Sequence, residues 1–160
     1  MYRKTTMNDR KAWYESLPKK RMGSGALFLN EQGSLLLVNP TYKPQWEIPG
    51  GLVELNESPR TACIREVKEE IGLKIEPERI LCLHYLHAEE ERTEGIMFIF
   101  WGGVLTAAEI ASIRLPESEL SEFRFVSIEE AAQLVTPQMS NRLQKSLEAL
   151  STEKMIYLES

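Results

Sequence analysis

Three carboxylates within five residues, Glu66, Glu69 and Glu70, are the groups in this chain best placed to do chemistry. Helical residues advance about 100° each, so with Glu66 at 0°, Glu69 falls at about −60° and Glu70 at about +40°. The three share one arc. Clustered carboxylates repel, and they stay ionised at neutral pH only where something positive offsets them. Oxygen ligands in this pattern suit a hard divalent cation, Mg²⁺ or Mn²⁺. Just upstream, Pro49-Gly50-Gly51 lets backbone approach a ligand closely, and Gly50 can offer a carbonyl oxygen. A metal beside close-approaching backbone is what phosphoanhydride chemistry needs.

The element that must position these carboxylates is a helix with clear ends. Ser58 can cap it, Pro59 suits its first turn, and Gly72 sits where the chain must turn left-handed to stop. Ile64, Val67 and Ile71 fall at about 100–160°, an apolar face beside the acidic one. In a chain that is 27% charged, an acidic helix face is ordinarily solvated surface. The fixed spacing back to Gly51 and Glu57 sets this one apart.

That spacing carries a resemblance. Gly51, five residues, Glu57, seven residues, Arg65-Glu66-Val67, one residue, Glu69-Glu70, one residue, Gly72-Leu73 resembles the complete Nudix box over residues 51–73. The surroundings agree, with SGALFLN ahead, Trp46-Glu47-Ile48-Pro49 leading in, and FRFVSIEEAAQL near the end.

The 160 residues fit one domain of 22–160 behind an N-terminal arm of 1–21. A net charge of −5 disfavours broad binding to nucleic acid or to anionic membranes. It permits a small anionic substrate, because a bound metal inverts the local field. Cys63 and Cys82 show no metal spacing and fit packed thiols in a reducing cytoplasm. Residues 1–21 have no apolar signal segment, and the longest apolar run, 96–101, is too short to span a bilayer. The expectation is a soluble cytoplasmic protein.

Within the arm, residues 8–17 read as a short helix with Trp13, Tyr14 and Leu17 on one side. It could pack on the domain edge or form a homodimer contact, and Lys19-Lys20-Arg21 could make a basic lip near phosphates. Residues 24–30 and 34–38 read as strands joined through Gln32-Gly33. Tyr42 and Trp46 are candidates for stacking on a base. Further strands are expected at 80–87, 95–104 and 123–126, with a loop or short helix over 109–122. Ser127 and Glu130 suggest a capping box, Pro137 opens a last helix, and 155–158 is a strand-like tail. His84 and His87 fall on opposite strand faces, as half-buried residues and not joint ligands.

Strands outnumber helices without alternating strictly with them, which argues for α+β or a layered sandwich with a mixed sheet. Resemblance to the Nudix family implies an αβα sandwich with the box helix against the sheet. It implies metal-assisted attack of water on a phosphorus of a nucleotide. Glu69 and Glu70 would hold the metal, joined by Glu66 and the Gly50 carbonyl. Arg65 and Glu57 resemble the pair that braces those glutamates, Glu66 is one candidate base, and Gly51 borders the phosphates. Family members often bring a further carboxylate from a distant loop. The expected source is Glu119, ahead of Glu117, Glu122 and the loop residues Glu89, Glu90, Glu91 and Glu94. Marks of the ADP-ribose and dinucleoside polyphosphate subclasses are absent. A nucleoside di- or triphosphate is therefore the first substrate choice, with ADP-ribose or another sugar nucleotide second. An RNA-end hydrolase and a non-catalytic nucleotide sensor are the readings from other classes.

Overall fold

A computed structural model describes residues 7–77 and 79–160; the first six residues of the arm lie outside the described residues. The elements run α1 (Met7–Ser16), β1 (Arg21–Asn30), β2 (Leu35–Pro40), β3 (Gly50–Leu52), α2 (Pro59–Ile71), β4 (Ile80–Leu86), β5 (Gly95–Leu105), α3 (Ala107–Ser112), β6 (Leu120–Val126), α4 (Ile128–Leu134), α5 (Pro137–Thr152) and β7 (Ile156–Glu159). The seven-stranded sheet has the order β6-β2-β1-β5-β4-β7, with β3 added beside β1. β1 and β5 pair in parallel, as do β4 and β7, while the other pairs are antiparallel. The sheet is therefore mixed, as expected.

Two cores lie on opposite faces of the sheet. Leu27, Leu37 and Ile99 meet α4 and α5 on one face. Ala26, Phe28, Leu36 and Phe100 meet α2 and α3 on the other. The alternation of Ala26, Leu27 and Phe28 between the two cores is what a central strand with both faces covered must show. The result is the expected αβα sandwich.

The helix ends follow local chemistry. Ser58 Oγ accepts from Thr61 N–H at 3.1 Å, Pro59 occupies the first turn, and Gly72 takes φ 75°. Ser24 Oγ on β1 donates to the Pro59 carbonyl at 2.6 Å, tying the start of α2 to the sheet. Gly33 turns the β1–β2 connection at φ 80°.

Several expectations need correction. Trp13 and Tyr14 do not pack on the domain; they are 56% and 62% exposed and meet each other edge to face at 4.8 Å. Lys20 and Arg21 form no lip at a phosphate site. Lys20 pairs with Glu94, and Arg21 Nε donates to the Thr93 carbonyl at 2.8 Å, because β1 and β5 start side by side. The short helix allowed for over 109–122 is present but starts earlier, as α3 from Ala107, capped by a reciprocal Thr106–Glu109 box. Ser127 accepts from Glu130 N–H, one half of the box expected there. His84 is fully buried instead of half-buried, whereas His87 is exposed against the Tyr85 ring.

Candidate active site

α2 carries its carboxylates along the edge of β3, and glycine lets the two approach. A Cβ on Gly51 would lie 2.4 Å from Glu66 Oε1, so the Glu66 carboxylate rests on the Gly51 backbone. A Cβ on Gly50 would lie 2.4 Å from the Ser24 carbonyl oxygen, and Gly50 has φ 155°. Pairing of Gly25 with Gly50 and Ser24 with Gly51 fixes this crowding, because β3 runs directly beside β1.

Arg65 is the organising cation. Its Nε and Nη2 donate to the two oxygens of Glu57 at 2.9 and 3.0 Å, a two-point clamp. Nη2 also reaches the Leu52 carbonyl at 3.0 Å. Nη1 donates to Glu66 Oε1 at 2.7 Å and to Glu69 Oε2 at 3.2 Å. Arg65 thus binds the loop carboxylate to two helix carboxylates, and its hydrogen bond to Glu57 holds that acid below the usual carboxylate range.

Glu70 stands apart from this clamp. Gly50 N–H donates to its Oε2 at 2.8 Å. No cationic side chain meets it among the described residues. Burial pushes its carboxyl up to about 8, the Gly50 hydrogen bond opposes this, and the Glu66, Glu47 and Glu119 carboxylates add to the rise. Glu119 lies on the turn before β6, where Pro116 O accepts its N–H and its own carbonyl accepts from Thr41 N–H. Glu122 is taken up by Arg124, and Glu94 by Lys20 and Tyr85.

A half-buried carboxylate crowded by other carboxylates, with no cation of its own, is the chemistry of a divalent-metal site, and the donor set fits one. Even so, among the described residues no three acidic, His or Cys side chains close up into a ready cage. The reason is visible in the contacts: Arg65 draws Glu66 and Glu69 one way, while Gly50 N–H holds Glu70 another. Glu69 is 57% exposed and Glu66 is 17% exposed at the side chain. Gly50 also enters through its N–H, a contact separate from the carbonyl role expected from the sequence.

An open cavity of about 290 Å³ adjoins Gly50 and Gly51. Tyr42 and Lys43 stand on its rim, Ile48, Phe98 and Ile99 on its walls, and Glu47 and Arg142 within it. Tyr42 is 71% exposed, with Lys43 Nζ 5.3 Å from the ring centre. Trp46 cannot stack on a ligand. It is buried in the core and covered by the Arg124 guanidinium at 4.8 Å. Glu47 was passed over in sequence, although it lies in the stretch leading into the glycines. Its backbone bridges to Val38, and its carboxylate pairs with Lys43.

A model of the Nudix domain matches residues 19–150. The chain belongs to the Nudix family. A MutT-like protein of Streptomyces ambofaciens is 31% identical over 114 residues, covering 67% of this chain and 71% of that relative. A human 8-oxo-dGDP phosphatase is 36% identical over 93 residues, but the chain spans only 27% of its length. Among solved structures, the MutT protein of Methanosarcina mazei Go1 superposes with a TM-score of 0.69 at 26% identity, covering 87% of this chain and all of that one. This is a Nudix-type pyrophosphohydrolase, of a family that acts on nucleotide derivatives and generally needs a divalent metal. No helix among the described residues is long and apolar enough to cross a membrane.

Proposed function

We propose that this Nudix protein hydrolyses a phosphoanhydride of a nucleoside di- or triphosphate, or of a nucleoside diphosphate derivative, with Mg²⁺ or Mn²⁺. The observation that carries this reading is the half-buried Glu70 carboxylate, which lies near Glu66, Glu47 and Glu119, meets no cationic side chain among the described residues, and accepts from the N–H of Gly50, a residue that lines the open cavity. Glu66, Glu69 and Glu70 would hold the metal, with the Gly50 carbonyl as a further ligand. Bound there, the metal neutralises phosphate charge and acidifies the attacking water.

The chain's own residues supply the rest. Gly50 and Gly51 bring backbone to the phosphates without a side chain in the way. Arg65 and Glu57 hold Glu66 and Glu69 in position from behind. Glu119, on a turn pinned by Thr41, takes the proton from water, with Glu66 the other candidate base. Tyr42, exposed on the rim, offers a face for stacking on a base. Buried free thiols at Cys63 and Cys82 fit a cytoplasmic setting. An RNA end is disfavoured, since Lys20 and Arg21 are engaged at the β4–β5 turn instead of forming a basic track.

The test is a hydrolysis screen across nucleoside di- and triphosphates, sugar nucleotides and capped or triphosphorylated RNA, with Mg²⁺, with Mn²⁺ and with excess chelator. Metal-dependent release of phosphate or pyrophosphate from a small nucleotide is the expected result. Full turnover under chelation, or turnover of RNA alone, would overturn the reading.

A further inference from the structure

The cavity holds a buried cation that the proposed hydrolysis does not use. Arg142, near the start of α5, is only 8% exposed and lines the cavity. Its Nε donates to His84 Nδ1 at 2.9 Å. With Nδ1 accepting, the ring proton must sit on Nε2, which is buried and has no partner among the described residues. Burial and the Arg142 charge hold His84 down at about 4, so the ring stays neutral and keeps this tautomer.

The bond to His84 fixes one edge of the guanidinium. The two terminal nitrogens make no hydrogen bond among the described residues. No carboxylate is bonded to Arg142 either. Glu47 is close enough to favour its charge but is paired with Lys43. A buried guanidinium with a free fork is costly unless a ligand meets it. The walls beside it, Ile48, Phe98, Ile99 and Met139, are apolar and suit a flat ring.

We propose that Arg142, oriented by His84, determines base specificity by donating its two terminal nitrogens to the O6 and N7 acceptors of a 6-oxopurine nucleotide. The proposal rests on the phosphoanhydride reading of the neighbouring glutamates. A planar fork of donors matches two adjacent acceptors, and guanine and hypoxanthine offer that pair. Adenine sets an amino donor against the fork, and the pyrimidines lack the second acceptor on that edge. A phosphate or carboxylate also offers paired oxygens, but apolar walls and the nearby Glu47 charge favour a neutral ring. His84 is a positioning residue that sets the plane of the guanidinium.

The experiment compares kcat and KM for GTP, ITP and ATP, and for the matching diphosphates, in the wild type, Arg142→Lys, Arg142→Met and His84→Asn. The wild type should favour the guanine and hypoxanthine substrates alike by about 10–100-fold over adenine, chiefly in KM. Arg142→Lys keeps the charge and guards against misfolding, yet it and Arg142→Met should bring the ratio to within about twofold, with His84→Asn intermediate. A wild type indifferent to the base overturns the proposal. So does an equal loss on all three bases in the Arg142 variants, which would mean that the arginine meets an anion. Calorimetric binding of GMP, IMP and AMP under chelator separates this from the hydrolysis reading. If no nucleotide is cleaved, GMP and IMP binding above AMP, lost in both Arg142 variants, still supports the base contact. Equal or undetectable binding of all three overturns it.

Discussion

Gly50 N–H donates to Glu70 Oε2 at 2.8 Å, so the glycine loop and the acidic helix meet at the carboxylate that is hardest to ionise. Burial raises Glu70 from 4.5 to about 8. For an acid raised on folding, the stabilising contribution is full below 4.5 and is lost as pH rises through about 8. Metal-free protein should therefore lose stability across that window. Glu70→Gln should remove the loss, raising Tm of the metal-free protein by about 2–4 °C for each kcal/mol relieved near pH 8.5 and hardly at all near pH 5. The same variant should lower kcat by about two orders of magnitude or more under metal. Thermal melts against pH, with and without chelator, check the first part and steady-state kinetics the second.

Gly51→Val should cost activity for a steric reason. Gly51 has no positive φ; in the Gly50-Gly51 pair that conformation belongs to Gly50, at 155°. The obstacle is Glu66, whose carboxylate oxygens would lie 2.4 and 2.8 Å from a new Cβ. Displacing Glu66 also strains its bond to Arg65. The expected outcome is a fall in kcat and in metal affinity, read by kinetics across a Mg²⁺ titration. A variant with wild-type kcat and metal dependence would show that Glu66 can move freely.

Glu57→Gln should weaken the two-point clamp on Arg65 without touching any atom near the cavity. Loss of such an outer partner costs about 10–100-fold in metal affinity or activity. The distinguishing readout is the metal dependence: excess Mn²⁺ should recover part of the rate if Glu57 acts through Glu66 and Glu69. A loss that no metal concentration changes would point to some other role.

Glu119→Ala should lower kcat by about 10²-fold at saturating substrate, as expected for removal of a proton acceptor. Alanine at Glu89, Glu90 or Glu91 should leave kcat within about twofold, because these side chains are exposed on the β4–β5 turn. Glu94→Ala should act on stability, through its partners Lys20 and Tyr85. An active Glu119→Ala together with an inactive variant in the β4–β5 turn would move the base to that turn.

What could be read from sequence is what neighbouring residues decide between themselves. Ser58, Pro59 and Gly72 bound α2 because capping and left-handed turning are local. Glu57 lies in the loop before α2, and its meeting with Arg65 was legible only through the resemblance of the motif that contains both. Arg142 and His84 are 58 residues apart, and neither strand nor helix periodicity joins them. Each looks ordinary in its own segment. Trp46 misled in the opposite way. An aromatic beside a glycine loop suggests a ligand platform, but the Val38–Glu47 bridge turns it into the core. Glu47 follows from the same bridge: one residue inward goes Trp46, and the next stands in the cavity.

The cores divide α2 from α5 by the full thickness of the sheet. The glutamates of α2 thus belong to one layer, and Arg142 to another that reaches the cavity beside Gly50 and Gly51. On the two proposals above, cutting and choosing would be separable inheritances. A chimera that exchanges α5 for that of another family member would carry the blade of one enzyme and the appetite of the other.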